Sequence, residues 1–537
     1  MKKALIVMVF ASTTVWGINQ SFDNSNSDQQ SDNRAVITLD DIKRGTEEIE
    51  NIKTELKEEG IKLIRVSTDN NLEEVKKIIS RHIDESAVID LVLAYKNNQK
   101  QNKKMQHDQF ALYYKCIFCN SDIINLINFP DEDGFTPLYI SAKNGHENIV
   151  KYLINHGAEI NKANKEGHTP LWIAAAAGHE NIVKCLREYG AEINRVGVEG
   201  ATPLWAASVM GHENIVKYLI NHGAEIDKTD EDGNTPLWIA SQKGHERIVK
   251  LLIERGADVN KGNNNGAAPL FVVSQEGHER VVELLIKHGA DVNKGRNDRT
   301  TPLWMASQDG YEGVVELLIE HGAEINETNE EGNTPLWIAS QEGYENIVKY
   351  LIEHGADVNK VNNDGAAPLS VAILRGHENI AKLLINRGAD INKADNYGTN
   401  SLIRAVYRGY ESIVRLLINR GADINKADNG GVNSLMIAVD RGYESIVRLL
   451  INRGADINKA NNGGINSLWL AMCKGNVDMI LLLVNLGADV NKANNEGVSP
   501  LSFLKENILE FPENRRDELM KSLIKNGAVE HPDLSGK

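Results

Sequence analysis

The chain has 537 residues, too many for one globular core, and its formal charge of −16 excludes a general nucleic-acid-binding protein, which needs a basic surface. Its four cysteines are too few for a disulfide framework over this length. The acidic balance favours a soluble protein whose partners are other proteins.

The first 17 residues resemble a secretory signal. Lys2 and Lys3 give a basic start, an apolar run follows, and Val15 and Gly17 stand before the expected cleavage point. The run is too short to cross a bilayer, so we expect a secreted or periplasmic protein with no membrane span after the signal is removed. If residues 1–17 are not a signal, the protein is cytoplasmic.

Residues 18–34 are mainly Asn, Ser, Asp and Gln, which predicts a disordered tether before a helical N-terminal region at 35–130. We interpret residues 60–130 as two degenerate repeat copies that cap an array, with an inserted loop at 95–108. A separate small helical domain is the alternative. The apolar positions used are Leu63, Val75, Ile78 and Ile79 in the first copy and Leu112, Ile123, Ile124 and Ile127 in the second.

From residue 131 to about 528 the sequence repeats with a period of 33, and residues 529–537 form a short tail. Each copy is built around the triplet Thr-Pro-Leu or its equivalent, and we number the copies repeats 1 to 12. The proline, or the serine in its place, falls at Pro137, Pro170, Pro203, Pro236, Pro269, Pro302, Pro335, Pro368, Ser401, Ser434, Ser467 and Pro500.

Repeat 4 illustrates the elements that one copy predicts. Thr235 is a good N-cap and Pro236 suits the first position of a short helix, which Gly244 ends. A second, longer helix follows, with an apolar side and Gly256 at its end. Two helices and a polar loop cannot bury so many apolar side chains alone, so neighbouring copies must stack into an all-α solenoid.

These copies resemble the ankyrin repeat. The period and the segments Gly-Asn-Thr-Pro-Leu-Trp-Ile-Ala, Gly-His-Glu-Arg-Ile-Val and Gly-Ala-Asp-Val-Asn carry the resemblance. It implies stacked helix-turn-helix units, extended hairpin loops and partner binding on a concave face. The chain is also similar to the long ankyrin arrays of host-associated bacteria, which implies partners among host proteins.

One departure from the family is regular. The family usually has His after the triplet, whereas eight copies here have another aromatic residue. We expect these rings to pack between repeats rather than to bind a ligand. They are Trp172, Trp205, Trp238, Trp304, Trp337, Trp469, Tyr139 and Phe271.

We expect no metal, cofactor or catalytic site. Cys116 and Cys119 form a C-x-x-C pair with no second pair nearby, and Cys185 and Cys473 stand alone as small apolar residues. The histidines recur at fixed places in the repeats, as His212 does after the inter-helix glycine, which indicates structural roles. No phosphate loop, nucleophile elbow or zinc-protease motif occurs.

The candidate partner-binding residues come from the pair before the inter-helix glycine, because in the ankyrin family this end of the first helix faces the partner. The pair is apolar in repeats 2 and 3 and contains arginine in repeats 8 to 10. In repeats 4 to 7 it contains glutamine, which is followed by Glu or Asp in repeats 5 to 7. Such stripes suit a long partner of complementary charge, while copying by duplication is the alternative explanation. The candidates are Ala176, Ala177, Val209, Met210, Gln242, Gln275, Glu276, Gln308, Asp309, Gln341, Glu342, Arg375, Tyr407, Arg408 and Arg441.

The C-terminal half differs in detail. Residues 408–428 and 441–461 match at all but the last position, which indicates duplication. Repeats 9 to 11 replace Thr-Pro by Asn-Ser, which keeps a cap and loosens the helix start, and Arg299 replaces a loop glycine, which predicts strain at positive φ. Extra residues within 503–517 predict a C-terminal cap.

We therefore predict a monomeric protein-interaction scaffold that is not an enzyme and carries no cofactor. Two alternatives remain. One is an enzyme or toxin in residues 35–130 with the array as its targeting module. The other is a mechanical spacer with no saturable partner.

Overall fold

The computed structural model describes residue 54 and residues 57–80, 126–197, 199–507 and 511–529. The chain divides into a unit of residues 1–60, whose described residues are helical, and a unit of residues 61–537, to which all further description applies. Several predictions concern residues outside these ranges. They are the signal, the tether, the inserted loop, the tail after residue 529, and Leu112, Cys116, Cys119, Ile123 and Ile124.

Each repeat begins with a short first helix, as the caps predict. In repeat 4 Trp238 N donates to Thr235 Oγ1 at 3.0 Å, and Pro236 takes the first helical position. Gly244 follows the helix with φ of +69°, a left-handed conformation that favours glycine. The first helices are Pro137–Lys143, Pro170–Ala177, Pro203–Met210, Pro236–Gln242, Pro269–Glu276, Pro302–Asp309, Pro335–Glu342, Pro368–Arg375, Ser401–Arg408, Ser434–Asp440, Ser467–Cys473 and Pro500–Glu506.

The second helix of each repeat has one apolar side. In repeat 4 Ile248, Val249 and Leu252 are buried. First helices pack on first helices of the neighbouring repeats, second helices pack on second helices, and one continuous core runs between them. This stacking of helix pairs confirms the predicted all-α solenoid. Each fully buried Leu or Ile side chain stabilises it by about 1.5–3 kcal/mol. The second helices are Glu147–Asn155, Glu180–Glu188, Glu213–Asn221, Glu246–Glu254, Glu279–Lys287, Glu312–Glu320, Glu345–Glu353, Glu378–Asn386, Glu411–Asn419, Glu444–Asn452, Val477–Asn485 and Glu513–Lys525.

Hydrogen bonds at fixed sequence offsets tie each loop to the next repeat. Asn260 Oδ1 accepts from Asp291 N at 2.8 Å, and Asn260 Nδ2 donates to Gly289 O at 3.0 Å. We call this two-bond arrangement the asparagine clamp. At the loop tips, Asn264 N donates to Asp232 O at 2.9 Å. Both contacts satisfy loop backbone groups that the helices cannot pair.

Asp227 occupies the clamp position in repeat 3. Its two carboxylate oxygens each lie 3.3 Å from Asp258 N, but an ionised carboxylate has no hydrogen to donate to Gly256 O. Burial is the main cause that raises the pKa of Asp227 above its ordinary value of 3.8. The folded chain therefore binds this proton more tightly than the unfolded chain does.

We expect Asp227→Asn to raise the free energy of unfolding at neutral pH by about 1 kcal/mol, because the amide restores the missing donor. The contribution of Asp227 to stability should fall as the pH rises through 3.8 and then through its raised pKa, so the stability of the variant relative to the wild type should increase over this range. Urea unfolding between pH 3 and pH 7 measures both effects. Asn260→Asp should introduce the same pH-dependent loss of stability in repeat 4. If the free energy of unfolding of Asp227→Asn changed with pH in parallel with that of the wild type, the raised pKa would not belong to Asp227.

The asparagine caps of repeats 9 to 11 are confirmed. Ile403 N donates to Asn400 Oδ1 at 2.9 Å, and Asn433 and Asn466 cap their helices in the same way. The looser helix start in these repeats stays a prediction.

The strained conformation predicted for Arg299 is also confirmed. Its φ is +63°, in the region that costs an ordinary residue about 1–2 kcal/mol. Arg299 Nη2 lies 3.0 Å from Glu327 Oε1, and Glu327 itself stands where most loops have lysine. Two departures from the repeat pattern therefore pair with each other.

Residues 61–80 pack directly on repeat 1. The helix Leu72–Ser80 lies against the second helix Glu147–Asn155, and Leu63, Val75, Ile78 and Ile79 are buried, as the degenerate first copy predicts. His146 Nδ1 donates to Ser67 O at 2.7 Å.

Of the residues predicted for the core of the second degenerate copy, only Ile127 lies within the described ranges, and it is helical and buried in the core. Ile127 is the last helical residue before Asn128, and Asn128 forms a clamp with Gly157 O and Glu159 N at 3.1 and 2.6 Å. The loop to repeat 1 therefore begins directly after Ile127, and the second degenerate copy stays a prediction. Residues 61–80 and 126–131 together supply one repeat interface, because the first copy already occupies the place next to repeat 1.

Repeat 12 closes the array with a longer second helix. Leu519 and Leu523 are buried on one side of Glu513–Lys525, while Ile524 on the other side is 57% exposed. Arg515 pairs with Asp478 of repeat 11 at 2.9 Å. A helix with one buried side is what the predicted C-terminal cap requires.

Candidate partner-binding surface

The candidate residues form a row along the first-helix side of the stack, which we call the inner row. All of them lie at or next to the C-terminal end of a first helix, and each keeps solvent access. Met210 and Tyr407 are 57% and 48% exposed. Because each first helix packs on the next, the pairs follow one another in repeat order.

The acidic part of the inner row lies in repeats 5 to 7. Burial, and then the charges of Glu276 and Glu342, raise the pKa of Asp309, so the three carboxylates are close enough to repel one another. Gln341 Nε2 donates to Glu342 Oε1 at 2.7 Å. Within the described ranges none of these three carboxylates forms an ion pair.

Repeat 6 carries more acid than the inner row alone reveals. Residues 300–332 contain eight Asp or Glu and no Lys or Arg, so half of the formal charge of −16 lies there. In repeat 1 Lys151 pairs with Glu147 at 2.5 Å, whereas repeat 6 has Glu316 four residues after Glu312. This signal was present in the sequence, but a comparison limited to the inner-row pairs does not detect it.

The basic part of the inner row lies in repeats 8 to 10. The guanidinium carbon of Arg441 is 4.2 Å from the centre of the Tyr407 ring, a cation–π contact that holds the charge in place. Arg375 and Arg408 are exposed and make no ion pair with any part of the chain that the structure describes. These arginines therefore present positive charge that the fold does not neutralise.

A cleft of about 490 Å³ opens at repeats 7 to 9, where the acidic and basic parts meet. Gln341 and Arg375 of the inner row line it together with Trp337 and Tyr397. The cleft therefore combines aromatic surface with a free guanidinium.

An ion pair that sequence reasoning missed lines the same cleft. The Arg404 guanidinium donates to the Asp395 carboxylate, and the Asp395 side chain is only 2% exposed. Every other repeat has an apolar residue at the position of Arg404, so the substitution is visible in the sequence. Its partner is not, because Asp395 lies on the preceding loop at a position where most other repeats also have Asn or Asp.

A smaller opening of about 240 Å³, which we call the repeat 10 pocket, lies at repeats 9 to 11. Tyr407 and Arg441 of the inner row border it. Its apolar lining comes from Val432, Met436, Ile437, Ile465 and Leu470.

Most of the chain matches one protein-family model. The family model described as "Ankyrin repeats (3 copies)" matches in overlapping stretches from residue 63 to residue 528. The chain belongs to the ankyrin-repeat family. Among solved structures, the crystal structure of the human ASB11 ankyrin repeat domain is similar, with 27% identity over 42% of this chain and 99% of that chain and a TM-score of 0.39. Comparison with curated proteins gave no significant match.

In repeats 1 to 10 a His or Tyr ring follows the inter-helix glycine and contacts the preceding repeat unit. His212 Nε2 donates to Ala176 O at 3.0 Å, and its ring lies where a Cβ on Gly178 would come within 2.6 Å. The predicted structural role of these histidines is confirmed. The same bond is made by His179, His245, His278 and His377. In other repeats a tyrosine ring lies against the inter-helix glycine of the repeat before it, as for Tyr311, Tyr344, Tyr410 and Tyr443.

The aromatic residues after the ankyrin triplet pack between repeats, as predicted. Trp304 and Trp469 are buried, and Trp238 and Trp337 are half-buried with their indole N–H groups donating to Ala267 O and Ala366 O. Phe271 and Trp304 also belong to a second apolar cluster on repeats 5 to 7. The rings therefore add inter-repeat contact.

The described part of the ankyrin chain has no group of three or more His, Cys, Asp or Glu placed to hold a metal ion. Nor does any helix in these ranges have the length and apolar character needed to cross a membrane. Cys185 is buried, as predicted, and burial raises the pKa of its thiol. Cys473 is exposed, so the prediction that it packs as an apolar residue is wrong; it ends the first helix of repeat 11, at an inner-row position.

Proposed function

We propose that the protein is an adaptor that binds a long protein segment along the inner row. Ankyrin repeats suggest an interaction scaffold, and one observation supports this site on it. Glu276, Asp309, Arg375 and Arg408 keep solvent access and have no ion-pair partner among the described residues. Clustered like charges cost the free chain stability, and a partner of opposite charge removes that cost.

The order of charges defines the partner. Acid in repeats 5 to 7 selects Lys or Arg in one part of the segment, and arginine in repeats 8 to 10 selects Asp or Glu in the other part. Complementary charge mainly speeds association and rejects wrong partners, so added salt should slow binding.

The test uses the full chain to capture partners from host-cell and own-cell extracts. We expect Arg375→Glu, Arg408→Glu and Arg441→Glu together to weaken binding of a captured partner by about tenfold or more, because like charges then face each other. Calorimetry with the purified partner gives the affinity.

A matched control makes the same change in charge on the second helices. Arg280→Glu, Lys349→Glu and Arg448→Glu together alter exposed residues away from the inner row and should leave affinity unchanged. A partner that both triple variants bind like the wild type would exclude the inner row. The absence of any saturable partner would favour the spacer alternative.

We also propose that the protein is exported and that its partners are host proteins. The support is the signal-like sequence of residues 1–17 together with the resemblance to arrays of host-associated bacteria. The mass of the mature protein tests export, since removal of the signal should leave a chain that begins near Ile18. A mature protein that retains Met1 or Lys2 would contradict it.

Catalysis is not part of this proposal. The competing hypothesis places an enzyme or toxin in residues 35–130, and most of that segment lies outside the described residues. Expression of the segment alone separates the two, because a cap should not fold without the array whereas an independent domain should unfold cooperatively.

A further inference from the structure

The repeat 10 pocket is an apolar opening on a polar surface, and its size suits one side chain. Its volume of about 240 Å³ exceeds the ~150 Å³ of a cavity that holds benzene. It is smaller than the roughly 300–1,000 Å³ typical of small-molecule sites.

The lining of the pocket is apolar partly because two loop residues depart from the repeat pattern. Val432 and Ile465 precede the N-cap, a position that repeats 2 to 9 fill with His, Ala, Asn or Thr. Ile437 and Leu470 of the following first helices complete the apolar wall. Two neighbouring repeats therefore replace polar or small residues with large aliphatic ones at one place.

The rim of the pocket carries net positive charge. Arg441 is held over the ring of Tyr407 at 4.2 Å, and both border the pocket. Asp440 also borders it, but Lys474 neutralises this carboxylate at 2.9 Å. Arg408 adds another unpaired guanidinium next to Tyr407 in the sequence.

We infer that the repeat 10 pocket binds one large apolar side chain, such as Phe or Leu, of a protein segment in which this residue is flanked by Asp and Glu. The apolar wall takes the side chain and the arginines take the carboxylates. A fixed guanidinium loses little freedom on binding, which favours this site over a flexible one. The inference deepens the proposed adaptor function and rests on it.

The test measures binding of labelled 12-residue peptide pools to the full chain by fluorescence anisotropy. One pool has a central Phe flanked by random mixtures of Asp, Glu, Ser and Gly, a second pool has Ala at the centre, and a third has Phe flanked by Lys, Ser and Gly. We expect the acidic Phe pool to bind about tenfold or more tightly than the acidic Ala pool. Any binding of the basic pool should not depend on the pocket, because Lys is selected by the acid of repeats 5 to 7 on another part of the inner row.

The matched variant is Val432→Asn with Ile465→Asn. The fold accepts Asn at this position, since Asn234 and Asn333 occupy it in repeats 4 and 7, and Asn234 Nδ2 donates to Asp230 Oδ2 at 3.1 Å. The variant should reduce binding of the acidic Phe pool to the level of the Ala pool, whereas Thr300→Asn in repeat 6 should not.

The outcomes separate this inference from the adaptor function. Equal binding of the Phe and Ala pools, no binding of the acidic Phe pool, or full binding by the Val432→Asn and Ile465→Asn variant would each overturn the pocket. Loss of a captured partner with the arginine triple variant would still support the adaptor. Retention of that partner would remove the adaptor function and this inference with it.

Discussion

Gly178→Ala should lower the free energy of unfolding by about 3 kcal/mol. The residue has φ of +82°, which costs a side-chain-bearing residue about 1–2 kcal/mol. The added Cβ would also lie 2.6 Å from His212 Cε1. The ring must then move, and its bond to Ala176 O, worth about 1 kcal/mol, is lost. Urea unfolding measured by circular dichroism gives the change.

Gly190 provides a control in the same repeat. Its φ is +90°, but a Cβ there meets nothing within 4 Å. Gly190→Ala should therefore cost only the backbone term of about 1–2 kcal/mol. Combining Gly178→Ala with His212→Ala should cost less than the sum of the two single changes, since the second removes the ring that the first displaces. Strict additivity would show that the ring does not set the requirement for glycine.

Trp469→Ala should destabilise the C-terminal end by about 3–5 kcal/mol. The side chain is 1% exposed, its indole N–H donates to Lys492 O at 2.9 Å, and its ring contacts Phe503 of repeat 12 edge-on at 5.2 Å. The change therefore removes packing between repeat 11 and the terminal cap. Hydrogen exchange should increase in Glu513–Lys525, while repeats 1 to 8 keep their protection.

Trp205 occupies the same position in repeat 3 and serves as the control. It is half-buried and its indole N–H has no partner among the described residues, so Trp205→Ala should cost about 1–2 kcal/mol. If the two substitutions proved equally costly, burial of the ring would not determine its contribution.

The fold was predictable because its signals are local and repeated. Thr235, Pro236 and Gly244 specify a helix start and a helix end within one unit, and the unit recurs at a constant period. The positive φ of Arg299 was predictable for the same reason, since the neighbouring units place glycine there.

The remaining features depend on contacts between distant residues. The pair of Arg404 and Asp395 joins a helix to a loop, and the contact of Ser67 with His146 spans 79 residues. Periodicity gives no information about either contact. The inner row could be placed from the sequence, but the repeat 10 pocket could not, because it needs side chains from three repeats to converge.

The contacts between units also limit how the array can change in length. His212 reaches back 36 residues to Ala176, and Asn260 reaches forward 31 residues to Asp291. Excision or insertion of one complete 33-residue period inside the array leaves each of these side chains with an equivalent backbone partner. Residues 61–80 and the longer second helix of repeat 12 depart from this period, so the same argument does not apply to them. The near-identity of 408–428 and 441–461 is what interior copying would leave behind.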